Sequence, residues 1–178
     1  NRALGRDEYF LHELAIAEIK DRLCSINRDF QSIAIVSGLS TPWGQAFPKA
    51  TIIQDKENLN LANCKYDLII HGMALHWAND PVGQLIQARL ALKNDGLMIA
   101  VCLGGTTLYE LRNVFIEAET KLIGGIHPRF MPLAEIRDLG SLMQRAGFAL
   151  PVADSTITEC LYNGCLLYTS PSPRDETK

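Results

Sequence analysis

The stretch Ile33-Ala-Ile-Val-Ser-Gly-Leu-Ser-Thr-Pro-Trp-Gly44 opens as a β-branched apolar run and continues as a loop of small residues. A short run of this kind, closed by Ser-Gly, predicts a buried strand. Gly38 gives the chain the freedom to turn off that strand. Pro42 to Gly44 are then expected to shape a short loop that leads to Thr51.

Three later segments repeat the pattern of a buried strand, and four others show the helical spacing of apolar residues. The strands are expected at Thr51–Asp55, Tyr66–His71 and Leu97–Leu103, and the helices at Glu8–Ile26, Pro81–Leu92, Leu108–Leu122 and Leu133–Ala146. Gly96 is expected to end the second helix in a left-handed turn. Alternating strands and helices predict a parallel sheet covered on both faces, whose ligands bind beyond the carboxyl ends of the strands.

Composition argues against several classes of function. The chain has 178 residues and a net charge of -3, which is typical of one ordinary domain without the positive surface that nucleic acids require. Its longest apolar runs are far shorter than the roughly 20 residues of a membrane span. The five cysteines form no Cys-x-x-Cys pair, so neither a metal site nor a disulfide framework is predicted.

Six motifs are familiar from a known superfamily. Three resemble motifs of class I S-adenosylmethionine (SAM) methyltransferases: Tyr66-Asp-Leu-Ile-Ile70, Leu75-His-Trp-Ala-Asn-Asp80 and Leu92-Lys-Asn-Asp-Gly96. Three resemble one subgroup, the methyltransferase-like assembly factors of respiratory complex I and their bacterial relatives: Gly104-Gly-Thr-Thr-Leu-Tyr-Glu-Leu-Arg112, Gly124-Gly-Ile-His-Pro-Arg129 and Ile136-Arg-Asp-Leu-Gly-Ser-Leu-Met-Gln-Arg-Ala-Gly-Phe148. A wider relative is the biotin-pathway enzyme that methylates a malonyl carrier-protein thioester.

The resemblance implies a Rossmann-like three-layer sandwich around a mostly parallel sheet, with SAM as the cofactor. It implies a transferase that acts on a protein or a carrier-bound carboxylate, and a respiratory-complex subunit as a partner. The location would be a bacterial cytoplasm, or the mitochondrial matrix if a leader has been lost. Family members continue past Tyr162 with further helices and a last antiparallel strand, so an exposed sheet edge and self-association are expected here.

The loop after the first strand departs from the family pattern. That pattern is Asp-x-Gly-x-Gly-x-Gly, and of its glycines the aligned residues 36–42 keep only Gly38. Residues 39–65 are 27 in number, whereas the usual helix, strand, helix and strand need at least about 40. One strand-helix unit is therefore expected to be missing, and the spacing around Asp55 favours loss of the second strand. Asp55 would then lie near the adenine amino group, although a rival alignment makes it the ribose ligand.

Eight residues are candidates for binding, and no catalytic residue is assigned. The cofactor candidates are Gly38, Asp55, His76 and Trp77, and the candidates for a substrate or partner are Glu110, Arg112, His127 and Arg129. Structural alternatives accompany these assignments. Trp77 could cap the core while His76 hydrogen-bonds locally, Glu110 and Arg112 could form an internal ion pair, and His127 to Arg129 could be a plain surface loop.

Two other groups of polar residues are expected to have structural roles. Asn79 or Asp80 is expected to cap the helix that Pro81 begins. Glu117, Glu119 and Lys121 are expected to form a solvated helix face.

Two functional hypotheses remain open. One is a SAM-dependent methyltransferase of the assembly-factor type. The other is a catalytically inactive assembly or binding module that keeps the fold without binding SAM, as the altered loop suggests. Residues 1–164 are expected to form the methyltransferase-like domain, as a fragment. Residues 165–178, which include a stretch resembling a translated sequencing adapter, are expected to be a non-native, disordered tail.

Overall fold

The fold is built around a four-stranded parallel sheet. The computed structural model describes residues 9–160, so the predicted tail at 165–178 lies outside the described residues. The strands are β1 (Ile33–Val36), β2 (Thr51–Ile53), β3 (Tyr66–Gly72) and β4 (Leu92–Val101), in the spatial order β2-β1-β3-β4. Each neighbouring pair is parallel, which confirms the predicted α/β class.

Helices cover both faces of the sheet. They are α1 (Phe10–Ser25), α2 (Ser40–Ala46), α3 (Pro81–Ala91), α4 (Tyr109–Ile123) and α5 (Ile136–Arg145), and a 3-10 turn lies at Leu75–Trp77. The short helix α2 occupies the stretch that the sequence indicated only as a loop. None of the helices within residues 9–160 is both long and apolar enough to cross a membrane.

The core has two parts, one on each face of the sheet. On the first face, α1 and α2 pack on the central strands, with Ile16, Ile19, Ile35, Trp43, Leu68 and Ile70 buried there. On the second face, α3 and α5 pack on the same strands, with Ala34, Ile69, Leu85, Ala88 and Ala146 buried there. This is the three-layer sandwich that the family resemblance implies.

The order of the strands resolves which position β2 occupies. Within the described residues, one helix and one strand lie between β1 and β3, so the predicted loss of a strand-helix unit is confirmed. However, Ala34 pairs with Thr51 and Val36 with Ile53, so β2 lies directly beside β1. By position it therefore fills the place of the second strand, and the third place is the one left without a strand.

Two glutamines of α3 hold the connection between β2 and β3 against the sheet. Gln84 donates its amide N–H to the carbonyl oxygen of Lys56 at 3.0 Å, and Gln87 donates to that of Glu57 at 2.8 Å. Gln87 also accepts the backbone N–H of Leu59 at 2.8 Å. These bonds satisfy backbone groups that a crossing helix would otherwise satisfy internally.

The turn before β4 differs from its prediction. The left-handed residue is Asp95, with a φ of 62°, and not Gly96. Leu92 pairs with Tyr66 and Leu97 pairs with Leu68, so β4 starts at Leu92 and residues 93–96 form an irregularity within it. Gly96 is needed for close packing instead, because a Cβ there would lie 2.9 Å from the side chain of Leu92.

Candidate functional site

The carboxyl ends of β1 and β2 bring Gly38 and Asp55 together. The backbone N–H of Ser37 donates to the carbonyl oxygen of Ile53 at 3.0 Å, which fixes the two strand ends side by side. A Cβ on Gly38 would lie 3.3 Å from both carboxylate oxygens of Asp55. The half-buried Asp55 carboxylate therefore lies against the bare backbone of the loop. A carboxylate beside the first glycine, on the neighbouring strand, is the arrangement that binds the hydroxyls of a ribose.

The residues that follow Gly38 in this loop pack in the core. Pro42 is buried, and Trp43 is fully buried against Gly72 of β3, where a Cβ would lie 2.5 Å from the indole ring. The indole N–H donates to Nδ1 of His12 at 3.1 Å. Residues 40–46 therefore form a helix anchored in the core, and they do not provide a glycine-lined surface for a ligand.

The 3-10 turn after β3 carries His76 and Trp77. Nδ1 of His76 accepts the backbone N–H of Leu103 at 3.5 Å. The partner lies after β4, 27 residues along the chain, so this is not the local hydrogen bond expected for His76. Trp77 is 66% exposed, and the idea that it caps the core is wrong. Its ring lies 5.3 Å from the imidazole of His76, centroid to centroid. The turn leaves the sheet at Leu75, which is buried, and the indole of Trp77 therefore points outward.

His71 is a buried polar residue that the sequence analysis did not single out. It ends the apolar run of β3, is fully buried, and has its Nε2 2.9 Å from Oε1 of Gln84. Because the amide nitrogen of Gln84 donates to Lys56, its oxygen faces the imidazole, and His71 carries its proton on Nε2. Nδ1 has no hydrogen-bond partner within residues 9–160. Burial lowers the pKa of His71 below its ordinary value, so the ring is neutral at pH 7.

Glu110 and Arg112 do not form the ion pair considered from the sequence. Arg112 donates from Nη2 to the carbonyl oxygen of Gly105 at 3.1 Å, whereas Glu110 accepts the hydroxyl of Tyr109 at 3.2 Å. The backbone N–H of Gly105 in turn donates to the carbonyl oxygen of Ala134 at 3.1 Å. Arg112 thus joins the start of α4 to the loops around it.

His127 and Arg129 are held by Glu119, which corrects the expected solvated face at this one residue, since Glu117 and Lys121 are exposed as expected. Glu119 is buried, accepts the backbone N–H of His127 at 2.9 Å, and bonds the guanidinium of Arg129. The His127 N–H, helped by Arg129, lowers the pKa of the Glu119 carboxyl. The sequence contained no signal for this, because the loop folds back onto the helix only in three dimensions. The loop is therefore an ordered one, fixed by a helix carboxylate.

A cavity of about 150 Å³ lies at the carboxyl ends of β3 and β4. It is bounded by the turn after β3, the end of β4, the loop before α5, and α5 itself. Its lining residues are Leu75, His76, Ala78, Pro81, Cys102, Leu103, Pro132, Leu133, Ala134, Leu139 and Leu142. Burial lowers the pKa of His76 and raises the pKa of Cys102, so both of these groups are neutral at pH 7. We call this cavity the leucine pocket.

Within the described part of the chain, no three His, Cys, Asp or Glu side chains are grouped so that they could hold a metal ion.

The fold and this arrangement of strand ends are those of a class I methyltransferase-like domain. It resembles a structure from Bacillus halodurans described as a methyltransferase, with a TM-score of 0.53 and 14% identity over 77% of this chain and 67% of that one. A SAM-dependent methyltransferase from Thermotoga maritima gives a TM-score of 0.51 and 17% identity over 80% and 75%. At these identities the likeness establishes the fold.

Sequence relatives place the chain more narrowly. It is 34% identical over 140 residues to the human mitochondrial protein named arginine-hydroxylase NDUFAF5, which covers 79% of this chain and 41% of that protein. It is 35% identical over 105 residues to the malonyl-[acyl-carrier protein] O-methyltransferase of Laribacter hongkongensis, covering 59% and 33%. No family model matches the chain. The predicted resemblance is confirmed at the level of sequence similarity. The chain spans less than half the length of these curated relatives.

Proposed function

We propose that this methyltransferase-fold chain binds SAM chiefly through the adenosine half of the cofactor. The observation that carries the proposal is the Asp55 carboxylate beside Gly38, at the adjoining carboxyl ends of β1 and β2. Asp55 follows Gly38 by 17 residues, close to the separation of about 20 that dinucleotide-binding folds use for the acidic residue that binds ribose. Between the two interpretations drawn from the sequence, the strand order favours the ribose role.

The residues present fit the two halves of SAM unequally. Asp55 offers two acceptor oxygens for the two ribose hydroxyls, and Gly38 lets the backbone approach the ligand. The amino-acid half would have to lie on residues 40–42, where a helix begins and Pro42 is buried. Pro42 has no backbone N–H, so this helix start has one donor fewer for a carboxylate. We therefore expect SAM to gain little affinity from its methionine part.

Substrate and partner follow from the relatives and remain part of the proposal. If the domain is active, the acceptor is a protein or a carrier-bound carboxylate. The partner is a subunit of a respiratory complex, in a bacterial cytoplasm or in the mitochondrial matrix. His76 and Trp77 follow β3 at the same carboxyl edge of the sheet, which supports a place for them near the cofactor. Arg112 is on α4, and His127 and Arg129 follow that helix, as candidates for contact with the acceptor or partner.

Calorimetric titration with S-adenosylhomocysteine tests the proposal. Asp55→Asn should weaken binding about 10- to 100-fold, because hydrogen bonds to a charged group contribute about 1.5 to 3 kcal/mol. Asp29→Asn is the matched control, since Asp29 is exposed and precedes β1. Its affinity should stay within about twofold of the unaltered chain. Absence of binding by the unaltered, folded chain would contradict the proposal.

A second candidate function is an assembly module that acts without SAM. The observation that favours it is the apolar surface of α4, where Leu111, Val114, Phe115 and Leu122 are 40%, 62%, 40% and 83% exposed. Contiguous exposed apolar groups of this kind mark protein interaction sites. Transfer of a labelled methyl group from SAM to any copurifying protein would exclude this second function.

A further inference from the structure

We propose that the leucine pocket binds a neutral apolar group about the size of a phenyl ring or a leucine side chain. In the context of the proposed function, on which this assignment rests, that group belongs to the acceptor. The side chains that line the pocket indicate the chemical class of the acceptor.

The lining chemistry selects against charge. Five of the eleven lining residues are leucines, and none of the eleven carries an acidic side chain, a lysine or an arginine. Transfer of an ionised group into such a place costs several kcal/mol unless a partner charge is present. A guanidinium or a carboxylate is therefore disfavoured, and an uncharged hydrocarbon group is favoured.

The volume sets the size of the bound group. The pocket measures about 150 Å³, and apolar cavities of about that volume hold benzene. A phenyl, isobutyl or similar branched group fills this space.

The walls are held in place by backbone bonds. The N–H of Gly105 donates to the carbonyl oxygen of Ala134, which ties the loop after β4 to the loop before α5. The guanidinium of Arg112 donates to the carbonyl oxygen of Gly105 and braces the same junction. The pocket is thus formed before a ligand arrives, which lowers the entropy lost on binding.

The position connects the pocket to the proposed cofactor site. His76 lines the pocket and also follows β3, at the carboxyl ends where Asp55 and Gly38 lie. A group bound in the pocket would therefore place the adjoining part of its molecule beside the imidazole. The relatives named arginine-hydroxylases suggest a guanidinium substrate for those proteins. The lining of this pocket predicts a different side group for this chain.

NMR titration of the full chain with benzene and with benzamidinium tests the proposal. Both probes have the same ring, and only the second carries a charge. Benzene should shift the methyl resonances of the leucines in the pocket, with a Kd on the order of 1 mM. Benzamidinium should bind at least about tenfold more weakly.

Two filling variants and one control locate the binding. Leu139→Trp and Ala134→Leu each add volume inside the pocket, and each should weaken benzene binding at least about tenfold. Leu90→Trp is the matched control, because Leu90 is on α3, 48% exposed and absent from the pocket lining. It should leave benzene binding unchanged.

Each outcome has a stated meaning. Equal binding of benzamidinium and benzene, or retained binding in both filling variants while their folds are intact, would overturn the proposal. No benzene binding by the unaltered chain would also overturn it. Benzene binding does not require S-adenosylhomocysteine, so a failure of the cofactor titration is distinguishable from a failure here.

Discussion

Acidification should destabilise the fold through His71. Its ring is fully buried and neutral, and burial lowers its pKa in the folded chain. In the unfolded chain the pKa returns to about 6.5. The unfolded state therefore binds more protons below pH 6.5, and the free energy of unfolding falls as pH falls through that range. The stability contributed by this group is complete at higher pH and is lost progressively below 6.5.

The size of the effect follows from proton linkage. If His71 stays neutral while the unfolded residue titrates, the loss between pH 7.5 and pH 5.5 is about 1.4 kcal/mol. For a chain of this size, that corresponds to a decrease in Tm of about 3 to 6 °C. His12 and His76 also have pKa values lowered by burial, so they add a loss of the same sign.

Urea unfolding of a His71→Gln variant isolates the contribution of this one residue. Glutamine can still donate to Oε1 of Gln84, but it does not titrate. The difference in unfolding free energy between the two pH values should shrink by about 1.4 kcal/mol in the variant. An identical pH dependence in the unaltered chain and in His71→Gln would refute the reasoning.

Three further predictions concern packing, capping and the sheet edge. Gly72→Ala should lower the unfolding free energy, measured in urea, by about 1 to 3 kcal/mol, because the added Cβ would meet the ring of Trp43. Gly44→Ala is the control, because its Cβ would meet no atom within 4 Å, and it should leave the unfolding free energy unchanged. Asp80→Ala should cost about 1 kcal/mol in the same assay, since the carboxylate caps α3 by accepting the N–H of Gly83 at 2.8 Å, and an unchanged midpoint would count against the cap. Within residues 9–160 no strand covers the outer edge of β4, so light scattering should show concentration-dependent self-association, and a monomer at every concentration would contradict this.

The sequence alone was sufficient to predict those features of the fold that depend on a few consecutive residues. Asp80 and Pro81 begin α3 as expected, because capping depends on a few consecutive residues. The apolar runs at β1 and β3 are strands for a similar reason, since both faces of a parallel strand need apolar side chains. The general fold was therefore accessible from the sequence.

Features that depend on distant contacts were not accessible in the same way. β2 pairs with β1, and strand pairing depends on contacts between distant segments. The sequence spacing had instead favoured loss of the second strand, with Asp55 near the adenine amino group. Trp43 is buried because Gly72 leaves space for its ring, and these two residues are far apart in the chain. Glu119 is likewise buried only because the loop of His127 folds back over it. The leucine pocket is assembled from four separate segments, so no single motif could indicate it.

A comparison of adenosine with S-adenosylhomocysteine, by calorimetry on the unaltered chain, shows which half of the cofactor the domain binds. We expect Asp55 and Gly38 to bind the nucleoside, and residues 40–42 not to hold the amino acid. The two ligands should therefore bind with Kd values within about threefold of each other, because only their shared half makes strong contacts. Binding of S-adenosylhomocysteine at least about 100-fold tighter than adenosine would show that the loop still holds the amino-acid half, and would contradict the account.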